Sequence, residues 1–166
     1  MANIINNIIA VLGNHISKEL IVFIISLMPI LELRGGMIAA AILGIDYVKA
    51  AIICIVGNII PIPFILLLLK RVFKILEKFT TTKKVVDFLN KKAIENKPKI
   101  DKYGFWGLVL FVGIPLPGTG AWTGALVSAV FEMDFKKSIL AILLGIILAF
   151  IIMSIVSYGI IGNIIS

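Results

Sequence analysis

This chain predicts an all-α integral membrane protein. Its expected fold is an inverted repeat of a re-entrant helical hairpin plus one transmembrane helix, with basic amphipathic cytoplasmic helices between the halves. Three observations carry that expectation. The 166 residues are 60 % apolar, with a mean hydropathy of +1.12, and hold uncharged runs longer than the roughly 20 residues that cross a bilayer. The segment PLPGTGAWTG, Pro115 to Gly124, breaks a run of 29 uncharged residues, Tyr103 to Phe131. Proline removes a backbone donor and glycine favours non-helical dihedrals, so no undisturbed helix passes through it. Finally, the two halves align without a gap at an offset of 88, matching Pro29 with Pro117, Gly36 with Gly124, Ala41 with Ala129, Asp46 with Asp134, Lys49 with Lys137, Gly57 with Gly145 and Ile59 with Ile147.

By length this is one membrane domain, divided into a first repeat (1–69), a linker (70–102) and a second repeat (103–166). The net charge of +7 lies wholly between Lys70 and Lys102, where 11 basic residues face 4 acidic ones. Cytoplasmic loops carry such an excess, so residues 70–102 are expected inside a multi-pass protein of the cell membrane. Their expected partners are anionic lipid headgroups; nothing resembles a nucleic-acid module.

Residues 3–13 read as a short helix lying on the membrane surface, and the N-terminal stretch lacks the basic leader of a cleaved signal. Leu20 to Leu31 and Met37 to Ile45 are apolar pieces separated by Pro29 and ELRGG. Each is too short to span about 30 Å of hydrocarbon at roughly 1.5 Å per residue, so together they predict a re-entrant hairpin. Tyr47 to Leu69 reads as a span, kinked at GNIIPIP and ended by Lys70 and Arg71. Residues 71–100 predict two amphipathic helices, with a soluble regulatory element as the alternative. Tyr103 to Ile114, the PLPGTGAWTG break and Ala121 to Phe131 form the second hairpin. A last span runs from Phe135 to about Ile160.

A hairpin returns to its own side, so each half crosses once and the second half starts on the opposite side. The hairpin tips then meet near the midplane, as in many secondary transporters. The competing topology makes each hairpin one kinked span, four in all.

Glu32 and Arg34 are intramembrane charges and must pair or line water. In an extended link they face one side; Glu32 could then take up and release a proton while Arg34 holds an anion through its guanidinium fork. The alternative is a mutual ion pair that holds the hairpin tip. In the second break, the Thr119 and Thr123 hydroxyls and the Gly118 and Gly120 amides could donate to an anion, or could only resatisfy broken backbone. Asn58 could reach the cavity or bond a neighbouring helix. Pro29, Gly35 and Gly36 mark the first break; Pro115, Pro117, Gly118 and Gly120 mark the second, with Trp122 as packing or gate.

No enzymatic activity, metal or cofactor is expected. Ser26, Ser128 and Ser154 have no base at similar depth, His15 is the single histidine, and no lysine followed by serine or threonine completes a phosphate loop. Cys54 reads as a small core residue.

The segments PILELRGG, GNIIPIPF, KYGFWGLVLF and IPLPGTGAWTGAL, in that order, resemble the bacterial and archaeal family called putative small multidrug export proteins. The resemblance runs from about Ile24 to Ala149, and IPLPGTGAWTGAL is its most specific part. That family is similar to the DedA, or VTT-domain (SNARE-associated), membrane proteins. The similarity implies paired hairpins facing one another, movement of polyprenyl phosphate or phospholipid, and proton coupling with Glu32 as the acidic residue. DedA proteins typically carry arginine around the second hairpin's proline and glycine, whereas Ile114 to Gly124 contains none.

The leading expectation is therefore a small proton-coupled transporter or lipid flippase moving an anionic amphiphile, such as a phosphate-headed lipid. One alternative is a multidrug exporter, in which Glu32 binds a cation. Another is a non-transporting membrane organiser acting through the basic linker. Two spans and two hairpins make a thin bundle, compatible with a homodimer.

Overall fold

The computed structural model describes residues 2–12, 16–76 and 102–161. The expected amphipathic helices fall mostly on 77–100, and His15 on 13–15; both lie outside the described residues. Among the described residues the regular structure is helical throughout: α1 (Ala2–Leu12), α2 (Lys18–Leu27), α3 (Glu32–Ile42), α4 (Tyr47–Ile59), α5 (Pro61–Leu76), α6 (residues 102–113), α7 (Ala121–Val130) and α8 (Phe135–Ser154), the last continuing into a π-helical turn at Ile155–Ile161.

Ser17 starts α2, its hydroxyl accepting the Leu20 amide at 3.3 Å. The chain turns at Met28–Leu31, and α3 begins at Glu32. Here the structure departs from expectation. ELRGG is not an extended link, and Gly35 and Gly36 are not part of the break; all five residues are helical. The glycines serve close packing instead. A methyl group on Gly36 would overlap the Ser26 hydroxyl and come within 2.9 Å of the Cys54 sulfur, and one on Gly35 would lie 2.8 Å from Leu31 Cβ. Their absence lets α3 settle against α2 and α4.

Helices α4 and α5 join at Ile60, because Pro61 lacks the N–H that would continue the ladder. Together they hold an apolar stretch, Tyr47–Leu68, long enough to cross a membrane, as does Phe135–Gly159. The helix α5 itself continues past the first of these apolar stretches to Leu76. Large apolar side chains point outward along both long elements: Val48, Ile52, Val56, Ile60 and Phe64 on one, Leu140, Leu144, Ile147, Ile151 and Ile155 on the other. Recurring at every third or fourth position, they form continuous stripes that suit a lipid surround.

Among large core side chains such as Ile21, Ile25, Leu33, Met37, Ile142 and Ile146, the small residues Ala39, Ala40, Ala50, Cys54, Ala121, Ala125 and Ala141 are also fully buried. Such residues let helix backbones approach closely where water supplies no driving force. Cys54 is a core residue, as expected.

The halves carry the same backbone devices 88 residues apart. Asp46 caps α4 by accepting the Val48 and Lys49 amides, and Asp134 caps α8 by accepting those of Lys136 and Lys137. Ile45 donates to the Ala40 carbonyl at 3.0 Å, and Met133 to that of Ser128 at 2.9 Å. Positive φ occurs at Ile30, Glu32 and Gly44, and again at Gly118, Gly120 and Glu132. The contacts cross between halves too, with α3 packed on α8 and α7 packed on α5.

Candidate functional site

The two breaks meet. Glu32, in the first turn of α3, reaches the start of α7, where its carboxylate accepts the Ala121 amide at 3.0 Å and the Trp122 amide at 2.9 Å. The first amides of a helix have no partner within it and carry partial positive charge. Gly120 occupies the capping position of α7 and has no side chain to offer. Glu32 is therefore the cap, supplied by the other half of the chain. Gly120 is needed twice over: its φ is 138°, and any Cβ there would fall on the Glu32 carboxylate.

Arg34 does the converse for α6. The last carbonyls of a helix are unsatisfied and carry partial negative charge. Arg34 Nη2 donates to the carbonyls of Val112 at 3.1 Å and Ile114 at 3.0 Å and to Thr119 Oγ1 at 3.0 Å, while Nη1 donates to the Leu116 carbonyl at 2.9 Å. Both residues are buried, at 5 % and 8 % exposure, so these partners replace water rather than compete with it. The hydrogen bonds of both charges run to the second break and not to each other. Neither the mutual ion pair nor an Arg34 open to an anion describes this arrangement.

The second break is also tied to itself. Thr119 Oγ1 accepts the Leu116 amide at 3.3 Å and lies 2.9 Å from the carbonyls of Ile114 and Leu116, to one of which it donates. Thr123 Oγ1 donates to the Gly120 carbonyl at 3.3 Å. Both hydroxyls resatisfy broken backbone. The amides that meet an anion are those of Ala121 and Trp122 rather than the expected Gly118 and Gly120, and the anion is Glu32.

Between the breaks lies a cavity of about 470 Å³. Most of the residues singled out in the sequence line it: Pro29, Glu32 and Arg34 from the first hairpin, and Pro115, Pro117, Gly118, Thr119, Trp122 and Thr123 from the second. Gly35, Gly36 and Gly120 are not in its wall, and neither is Asn58, which is buried in α4 with its Oδ1 unpartnered. Sequence reasoning missed Ile30, Ile38, Leu116 and Met153, which complete the wall. An apolar residue in a hydrophobic helix gives no sign of facing a cavity. Ile30 alone carried one, since the offset of 88 sets it opposite Gly118.

No curated protein and no solved structure matches this chain. Residues 32–152 match the family described as "Putative small multi-drug export protein". The match starts at the capping glutamate, takes in both sides of the cavity wall, and covers more than half of the 166 residues. Together with two helices apolar and long enough to span a bilayer, this fits a membrane location and a role in export. The chain belongs to the small multi-drug export family.

Proposed function

We propose that this chain is a small membrane exporter that carries amphipathic small molecules through the cavity between its two breaks. The cavity is the observation that carries this reading, because both of its sides are built from interrupted helices. Broken helices meeting at a protein-lined space are how transporters place a site inside the bilayer. The inverted, re-entrant architecture belongs to the same proposal. Its support is the set of capping aspartates, positive-φ positions and turn hydrogen bonds repeated at an offset of 88. The reciprocal packing of α3 on α8 and α7 on α5 is what two halves related by a two-fold axis would produce.

Kinship with the DedA proteins and flipping of a phosphate-headed lipid form a narrower version of this proposal. It requires Arg34 to leave the carbonyls of α6 before it can hold a phosphate. Small-molecule export needs no such rearrangement and agrees with the family description. Proton coupling would act through Glu32: protonation turns one acceptor oxygen into a donor and loosens the cap on α7. The basic linker would hold anionic headgroups, and a second copy of the chain would thicken the bundle.

Reconstitution into proteoliposomes tests the proposal. Purified protein should speed efflux of a fluorescent amphiphile, and Ile38→Trp, which fills the cavity from α3, should abolish that efflux without loss of folded protein. Equal efflux from the plugged variant would exclude the cavity as the path. If a proton is coupled, Glu32→Gln should flatten the pH dependence.

A further inference from the structure

Resting on the export path and the two-fold relation proposed above, we infer a second pocket for the same amphipathic cargo. Its wall is Leu126 of α7 and Ile65 of α5, which receive the cargo's apolar body, and it opens when the present cavity closes.

The offset of 88 sorts the wall of the present cavity into two groups. Pro29 and Pro117, Ile30 and Gly118, and Arg34 and Trp122 are counterparts, and both members of each pair line it. Ile38 and Met153 line it too, whereas their counterparts Leu126 and Ile65 do not. The remaining wall residues lie in the breaks or in the first helical turn after them. The cavity therefore extends from the breaks in one direction only. Ile38 lies beyond Glu32 along α3 by roughly 9 Å at about 1.5 Å per residue, and Met153 precedes Ser154 on α8. That direction leads to the end of the molecule where α2 and α4 start and α3 and α8 finish. There Lys18 Nζ donates to the Leu43 carbonyl at 3.1 Å, the Tyr158 hydroxyl donates to the Ile45 carbonyl at 2.9 Å, and the Tyr47 and Ser154 hydroxyls lie 3.2 Å apart. A cavity that extends towards one end carries nothing across a membrane.

The two counterparts are placed to complete the path. Leu126 follows Trp122 by one turn, so the two share a face of α7. Leu126 is also 45 % exposed, so no core packing holds it. Ile65 is partly buried against the core, and α5 packs on α7 as α8 packs on α3. By the two-fold relation, Leu126 and Ile65 stand to each other as Ile38 and Met153 do. Exchanging the arrangements of the two halves would close the cavity at Ile38 and Met153 and open its image at Leu126 and Ile65. Inverted repeats expose a fixed site to each side in turn by such rocking of one half against the other. The three matched pairs at the breaks would serve both pockets.

Tryptophan plugs test this, with rhodamine 6G and NBD-labelled farnesyl phosphate (a cationic and an anionic amphiphile) as probes. Efflux is read in proteoliposomes, and binding by fluorescence anisotropy in nanodiscs with empty nanodiscs subtracted. Leu140→Trp, on the outward stripe of α8, controls for an added surface tryptophan. Leu126→Trp should stop efflux yet still bind the transported dye, as tightly as wild type or up to about twofold tighter if the two pockets are equally populated. Ile65→Trp, from the opposite wall, should do the same. Ile38→Trp combined with Leu126→Trp should lose binding. Efflux that Ile38→Trp stops but Leu126→Trp and Ile65→Trp leave intact overturns the inference and leaves the export path standing. Loss of binding in both Leu126→Trp and Ile65→Trp also overturns it, because a second pocket can be filled without emptying the first. Wild-type protein that moves neither dye refutes the export path, and the second pocket with it.

Discussion

Ile30 holds a φ of 81° with its side chain 82 % exposed. For a β-branched residue this is strain without compensating burial. Two residues on, Glu32 sits at 51°. The paired distortions turn the chain sharply enough to start α3 with its carboxylate against α7. Ile30→Gly removes the steric cost, about 1–2 kcal/mol, against a glycine entropy cost of about 0.5–1 kcal/mol. The variant should therefore be more stable than wild type by up to about 1.5 kcal/mol, seen as a slightly higher melting point in detergent. A lower melting point would mean that the isoleucine side chain holds the turn. At Arg34 the direction reverses. Arg34→Lys replaces a planar fork by a single ammonium that cannot reach every acceptor, leaving buried carbonyls bare at about 1–3 kcal/mol each. A melt of that variant should fall well below wild type. At this scale the sequence was legible in part. It marked Glu32 and Arg34 as buried charges, because charge inside an apolar run has few explanations. It could not say what they bond, because their partners are backbone groups that every chain possesses.

Among the elements, the hairpins are where reading and structure diverge most usefully. A Gly-Gly pair after a charged triplet suggests a loop, yet Gly35 and Gly36 lie inside α3 and pay for proximity to α2 and α4. Helix propensity is a weak prior, and packing overrode it. Gly36→Ala should cost about 1–3 kcal/mol by overpacking, and adding Ser26→Ala, which removes the nearest obstructing atom, should recover part of that loss. Equal stability of the single and double variants would place the clash elsewhere. Gly44→Ala is the contrast: nothing lies within 4 Å, so only its φ of +67° opposes a side chain, at about 1–2 kcal/mol. The long elements were read closely, because apolar length is a composition property. Their capping aspartates were legible as a matched pair at the offset of 88, and the structure gives them the further role of starting α4 and α8.

For the molecule as a whole, the question is which way each half faces. Lys49 and Lys137 are counterparts at the offset of 88 and both are exposed. In a Cys54→Ala background, Lys49→Cys and Lys137→Cys provide single reporters one turn into α4 and α8. Under the inverted architecture a membrane-impermeant thiol reagent applied to intact cells should label position 49 and spare position 137. External labelling of both would support four full spans. The alignment that motivates this was readable from seven identities. Its strongest support was not readable, because positive φ at Ile30 and Glu32 has no signature in those residue types.

The crossing of charges between halves bears on how the chain is made. Synthesis delivers α2 and α3 first, so Glu32 and Arg34 enter the membrane before the helix ends they will cap. Under the inverted architecture proposed above, the second hairpin arrives afterwards with the ends of α6 and α7 uncapped, and would finish folding on a template already in place. The second half alone would have to leave those ends unmet in the bilayer. Split at any point from 77 to 100, the halves should accumulate only when produced together, with the N-terminal piece acting as a chaperone for its successor.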